Sequence, residues 1–238
     1  MLRFDHLSLR RGARLLFSDA DFRIHPGQRV GVTGANGSGK SSLFALILDQ
    51  IHPDSGDFTR PDNWVIAHLP QETPSDPRPA IDYVLDGDTE LREIERKLRL
   101  AEATAAGEAI AELHARQEAI GGYQARSRAA RLIHGLGFTP GEEDRPVAEF
   151  SGGWRMRVAL GAVLFSAPDL LLLDEPTNYL DLEGAVWLEH YLARYPYTIL
   201  LISHDRGLLN RAVNGILHLH DRKLTTYSGG YDTFDRVR

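Results

Sequence analysis

The sequence predicts an α/β protein in which a mostly parallel sheet core carries an antiparallel β subdomain and a helical subdomain. Three observations support this reading. Short apolar strands alternate with amphipathic helical segments. Two of the strands, Leu170–Leu173 and Ile199–Ile202, are apolar throughout, as strands covered on both faces are. The segment Glu90–Ile120 instead repeats its apolar residues at helical spacing.

Taken in order, Leu2–Ile24 holds two alternating runs broken at Arg11-Gly12, the pattern of antiparallel strands joined by a turn. Pro26-Gly27 is a turn, Arg29–Thr33 a β-rich strand, and Gly34–Gly39 a glycine-rich loop. Ser41–Asp49 reads as a helix with Leu43, Phe44, Leu46 and Ile47 inward, and Trp64–Leu69 as a strand. Pro70, Pro74, Pro77 and Pro79 exclude a helix interior and mark a subdomain boundary. Beyond it, residues 72–150 read as a helical lobe within a single domain of residues 1–238. The lobe contains an αα-hairpin over Glu90–Ile120, broken at Gly107, and a helix over Tyr123–Leu136 ended by Gly137. After Ser151-Gly-Gly another helix runs through Val158 and Leu164, followed by strands Leu170–Leu173 and Thr198–Ile202.

A chain of 238 residues with 42% hydrophobic content can bury a sizeable core. The formal net charge of −6 argues against a whole-domain nucleic-acid binder, while leaving local basic patches open. There are no cysteines, which excludes disulfides and thiolate chemistry and fits a reducing compartment. The N-terminal residues lack a signal-peptide apolar stretch, and no run approaches the roughly 20 apolar residues that span a bilayer. A cytoplasmic protein with no membrane partner is expected.

Gly34-Ala35-Asn36-Gly37-Ser38-Gly39-Lys40-Ser41 fits G-x-x-x-x-G-K-S between a strand and a helix, where backbone N–H groups and a helix N-terminus can cradle phosphates. Ser42 extends that helix start. Lys40 is expected on the β/γ-phosphates of ATP, and the Ser41 hydroxyl on Mg²⁺. Asp174-Glu175 closes an apolar strand at the carboxyl edge, where open α/β sheets bind ligands. Asp174 is expected to hold Mg²⁺ and Glu175 to act as general base on the attacking water. Ser151 precedes a helix it can cap, and Gly152 and Gly153 let backbone approach an anion.

Together these motifs resemble the ATP-binding cassette family. The resemblance implies that Ser151-Gly152-Gly153 is the signature contacting nucleotide on an opposing cassette. It also implies that Gln71 is the Q-loop glutamine sensing Mg²⁺ and nucleotide, and that His204 is the switch histidine holding the γ-phosphate. Asp174-Glu-Pro-Thr-Asn178-Tyr-Leu180-Asp181, Ser151-Gly-Gly-Trp-Arg-Met-Arg157 and Ser203-His-Asp-Arg206 are similar to the ABC-F branch, whose members act on ribosomes. In that branch Asn178 to Asp181 would be the interface-lining D-loop, Glu90–Ile120 the inserted arm, and Tyr227–Phe234 the stretch before an interdomain linker. With no second copy of the motifs, the chain looks like the first cassette of a pair, natural or cut, its partner supplied by the full-length protein or a homodimer.

The resemblance implies an ATP-hydrolysing cassette of a ribosome-associated translation factor; the alternatives are the nucleotide-binding subunit of a membrane transporter and a non-hydrolysing interaction module. Seven Glu against five Lys/Arg make the hairpin a mixed surface, on which Arg92, Arg96, Lys97 and Arg99 are the expected ribosome or RNA contacts. Arg10 or Arg11 is expected to stack the base where many cassettes use an aromatic. His218-x-His220 reads as structural, with no third metal ligand in view.

Overall fold

The structure, a computed structural model, describes residues 1–238. The chain folds into two compact units. One comprises Met1–Leu69, Pro168–Asn178 and Ala185–Arg238; the other comprises Pro70–Ala167 and Tyr179–Gly184.

The first unit opens with strands β1 (Leu2–Arg11) and β2 (Arg14–Ile24), paired antiparallel. The alternation of β1 slips by one residue between Phe4 and Leu7. A bulge accounts for the slip: the register shifts there, and His6 takes a positive φ of 46°. Leu2, Phe4, Leu7 and Leu9 thereby all reach the core. Strand β3 (Arg29–Gly34) leads into helix α1 (Lys40–Ile47), and β4 (Ser55–Thr59) returns to pair with β1. Next come β5 (Ile66–His68), β6 (Leu170–Asp174), α7 (Leu182–Ala193), whose first residues belong to the second unit, β7 (Thr198–Ile202), α8 (Arg206–Ala212), β8 (Gly215–His220), β9 (Lys223–Ser228) and α9 (Tyr231–Val237).

The larger sheet has the order β5-β6-β7-β3-β8-β9, parallel except for β9. Its central strands are apolar because both faces are covered: Leu170, Leu171, Leu172 and Leu173 are all fully buried. The smaller sheet, β2-β1-β4, shares one apolar core with it, a cluster that includes Phe4, Phe17, Leu43, Leu172 and Leu217. The predicted strand Trp64–Leu69 shortens to three residues, since β5 is an edge strand paired only with β6.

The second unit is helical: α2 (Ala80–Leu85), α3 (Thr89–Ala103), α4 (Gly107–Ala119), α5 (Ala125–Gly135) and α6 (Gly152–Phe165). It reaches beyond residues 72–150 because α6 packs with α2 and α5. The chain stays irregular through Pro79, and α2 begins on the next residue. In the hairpin, Asp88 caps α3 by accepting from Leu91 N at 3.0 Å, and Leu91, Ile94, Leu98 and Ala101 are buried. Helix α4 buries none of its residues.

The basic edge expected on α3 is largely committed to acids. Arg92 donates to Asp86 at 2.9 Å and to Glu95 at 2.7 Å, while Arg96 and Lys97 both meet Glu93. Those partners hold the Glu93 carboxyl at about 2, the Arg96 hydrogen bond contributing most. The acids on the same turns satisfy the cations, and Arg99 alone of the four remains exposed without an ion pair.

Candidate functional site

β3 ends at Gly34, and the chain then turns through a loop in which two glycines take positive φ. Gly37 takes φ 68° and Gly39 takes φ 123°, and a Cβ on Gly39 would stand 3.1 Å from Leu16. Helix α1 starts immediately after, with no side chain capping it, so its first N–H groups remain available. Lys40 folds back under the loop, its Nζ donating to the carbonyls of Gly34 at 2.8 Å and Ala35 at 3.0 Å. Burial lowers the pKa of its ammonium, against the opposing pull of Glu175 and Asp174.

The carboxyl end of β6 comes to the same place because β6 and β3 both flank β7. Ser41 Oγ donates to Asp174 Oδ2 at 2.9 Å. Glu175 follows with φ 47°, a left-handed conformation rarely adopted outside glycine, held by its N–H donating to the carbonyl of Ile202 at 2.9 Å. That turn sends the Glu175 side chain toward His204. The His204 backbone N–H donates to Oε2 at 3.3 Å, while its Nε2 lies 3.6 Å from Oε1. Glu175 Oε1 is buried without a hydrogen-bond partner, as is Ser38 Oγ in the loop. His204 Nε2 also lies 3.0 Å from Asn36 Oδ1, so the segment after β7 and the phosphate loop meet through these two side chains.

These groups surround one cavity of about 590 Å³. It is lined by Asn36, Gly37, Gly39, Lys40, Ser41 and Ser42 from the loop and α1, and by Asp174, Glu175 and Asn178 after β6. Ile202, His204, Arg11, Arg14 and Leu16 complete the lining. Of the two arginines considered for the base, Arg11 lines the cavity and Arg10 does not.

Gly34, Ala35 and Ser38 of the loop are not among the lining residues, and the other predicted residues, Gln71, Ser151, Gly152, Gly153 and Asp181, belong to the second unit and do not line this cavity. Gln71 is exposed in the loop after β5. Ser151, Gly152 and Gly153 are exposed at the start of α6, and a Cβ on either glycine would meet nothing within 4 Å. The expected cap at Ser151 is corrected. The residue holds the N-cap position with an extended backbone, φ −65° and ψ 162°, but its side chain makes no cap hydrogen bond. The helix N-terminus there is open.

Asp181 lies in a network that sequence reasoning missed. Arg157 is buried in the second unit and donates to Asp181 Oδ2 at 2.9 Å, to the Tyr179 carbonyl at 2.7 Å and to the Leu136 carbonyl at 2.9 Å. Its guanidinium lies 4.0 Å from the Trp154 ring centroid. The Gly184 N–H and Arg157 together hold the Asp181 carboxyl below its usual range. The signal was an arginine set within an apolar helical run, Met156 to Leu160. His218 is buried, 3.0 Å from the Thr33 hydroxyl and against Phe234, and burial lowers its pKa. No cluster of three or more His, Asp or Glu side chains is placed to hold a metal by itself.

The ABC transporter family matches residues 17–178. The chain is 47% identical over 238 residues to "Probable ATP-binding protein YheS" of Escherichia coli strain K12, covering all of this chain and 37% of that protein. It is 40% identical over 241 residues to human "ATP-binding cassette sub-family F member 3", covering 98% of this chain and 33% of that protein. It thus spans about a third of the length of these relatives. A solved structure described as "Structure of ATP binding subunit of ABC transporter" superposes with a TM-score of 0.70 at 20% identity. That match covers 100% of this chain and 92% of the other, and it establishes the fold. The chain belongs to the ABC transporter family, as an ATP-binding cassette of the ABC-F type.

Proposed function

We propose that the chain hydrolyses ATP in the cavity between the phosphate loop and Glu175, as one cassette of a two-cassette protein. The observation that carries this reading is the convergence of Lys40, Ser41, Asp174, Glu175 and His204, from three separate stretches of sequence, on one cavity. Backbone N–H groups of Gly34 to Ser42 would cradle the phosphates, with Lys40 on the β/γ-phosphates.

The residues present fit Mg²⁺. Ser41 and Asp174 set a hydroxyl and a carboxylate 2.9 Å apart beside the phosphate loop, and the lack of a larger acidic cluster suits an ion completed by substrate phosphates. Bound there, Mg²⁺ would neutralise charge developing on the phosphates. Glu175 would orient the attacking water and take its proton, since its Oε1 is buried and uncommitted. His204, steadied by Asn36, would reach the γ-phosphate. Ser151, Gly152 and Gly153 would act on the nucleotide of the opposing cassette, with Asp181 and Gln71 at that interface.

A cytoplasmic role on the ribosome is the wider reading. The full-length sub-family F character of the relatives supports it, as does the absence of any helix long and apolar enough to cross a membrane. Of the hairpin cations, Arg99 is the one free to meet RNA phosphate.

The test of hydrolysis is phosphate release under single turnover by the parent and Glu175→Gln. Turnover should fall by about 10²-fold or more while Mg²⁺·ATP affinity is retained. Equal rates would remove Glu175 from the chemistry.

A further inference from the structure

Strands β3, β6 and β7 run parallel, and the phosphate loop, the Asp174-Glu175 pair and His204 all follow their carboxyl ends. Their amino ends border a different cavity, of about 250 Å³, within the same unit. Pro26, Trp64, Asp169, Pro196, Tyr197 and Thr198 line it, and it shares no residue with the first cavity. Asp169 directly precedes β6, Thr198 begins β7, and Trp64 stands two residues before β5. Open α/β sheets bind nucleotides at the carboxyl edge, so a cavity at the amino edge serves another ligand.

Hydrogen bonds hold these residues together. Asp169 Oδ2 accepts from the Val65 N–H at 2.8 Å, and the Asp169 carbonyl accepts from the Thr198 N–H at 3.1 Å. Thr198 Oγ1 in turn accepts from the Gly27 N–H at 3.1 Å. The Tyr197 ring packs edge to face against Tyr195, with centroids 5.8 Å apart, and the buried Tyr195 hydroxyl donates to the Pro168 carbonyl at 2.6 Å. The lining is preorganised.

Its chemistry calls for a cation. Asp169 forms no ion pair, and its Oδ1 accepts no hydrogen bond from the chain. Two aromatic side chains share the cavity with that carboxylate. Aromatic faces attract cations, and a carboxylate adds charge-assisted hydrogen bonds. A guanidinium meets both demands, because it is planar, stacks on rings and is more weakly hydrated than an ammonium. Pockets for whole small molecules start at roughly 300 Å³, so this smaller volume suits a single side chain. Val65 and Tyr197, 58% and 45% exposed, add apolar surface at the same sheet edge, against which neighbours of that side chain would pack.

We propose that Trp64, Asp169 and Tyr197 form a receptor for an arginine side chain presented by a protein partner, at the sheet edge opposite the phosphate loop.

The test is a titration of the isotope-labelled chain with N-acetylarginine amide, its neutral citrulline isostere and the lysine analogue. Binding is read at the Trp64 indole N–H resonance, which Trp64→Phe identifies. Arginine should bind about tenfold more tightly than citrulline, with lysine between them. Asp169→Asn keeps an oxygen for the Val65 N–H and should weaken arginine by about tenfold. Tyr197→Ala, at an exposed ring without a hydrogen bond, should weaken it by about threefold. A blocked leucyl-arginyl-leucine peptide should bind about fivefold more tightly than the blocked amino acid. Citrulline or lysine binding as well as arginine overturns the receptor, as does either variant that binds arginine like the parent. A peptide no tighter than the single amino acid overturns the protein source.

Discussion

Helices α1 and α6 both begin on glycine-rich turns and both lack a side-chain cap, unlike α3 and α8, which Asp88 and Asp205 cap. Their surroundings are opposite. Around the start of α1, its own unit gathers an ammonium, a hydroxyl, two carboxylates and an imidazole. Around the start of α6 there is open space: Ser151, Gly152 and Gly153 are exposed, and the Ser151 side chain makes no cap hydrogen bond. An uncapped helix N-terminus leaves about four N–H groups wanting an acceptor. Within the chain only the first has the apparatus to use one chemically. On the proposed reading the first would be a phosphate site and the second a half-site, alike in backbone chemistry and different in what the fold brings around them.

The largest expected effect removes that apparatus. Lys40→Ala should weaken Mg²⁺·ATP binding by about 10²-fold or more, because the only ammonium among the residues lining the cavity is lost. Its hydrogen bonds are to loop carbonyls, so circular dichroism should remain that of the parent. Calorimetry giving unchanged affinity would place the phosphates elsewhere.

A smaller effect is expected where the second unit is pinned internally. Arg157→Ala strips three hydrogen bonds from a buried position and should cost about 2 kcal/mol, read as a lowered denaturant midpoint. An unchanged midpoint would mean that the Tyr179–Asp181 segment is held without Arg157.

The smallest effect on stability belongs to the half-site. Ser151→Ala removes a hydroxyl that caps nothing, so the midpoint should move by less than about 0.5 kcal/mol. Light scattering of a Glu175→Gln background should nonetheless show ATP-driven association weakened by the same change. A substantial stability loss would make Ser151 an ordinary cap and dissolve the contrast between the two helices.

Much of this was legible in the sequence, for identifiable reasons. The phosphate loop could be read because positive-φ turns demand glycine, and the αα-hairpin because Leu91, Ile94, Leu98 and Ala101 keep a helical period. β4 and β9 carried no such signal, since Ser55–Thr59 and Lys223–Ser228 are mostly exposed edge strands without an apolar alternation. The contact between Asn36 and His204 joins residues 168 apart and depends on strand order, which spacing does not encode. The ion pairs that absorb Arg92 and Arg96 required side-chain placement that helical spacing alone did not settle.

The most direct test of a complete site paired with a half-site is complementation between two dead variants. Lys40→Ala lacks the phosphate site but keeps the open start of α6. Gly153→Asp keeps the phosphate site and sets a carboxylate where a phosphate should approach, at a position with room for it. Each alone should show no ATP turnover at high protein concentration. Mixed in equal amounts they should recover roughly a quarter of the parent rate, because half the dimers are mixed and each mixed dimer restores one of its two sites. A mixture as inactive as its components, with mixed dimers confirmed by mass, would contradict the account.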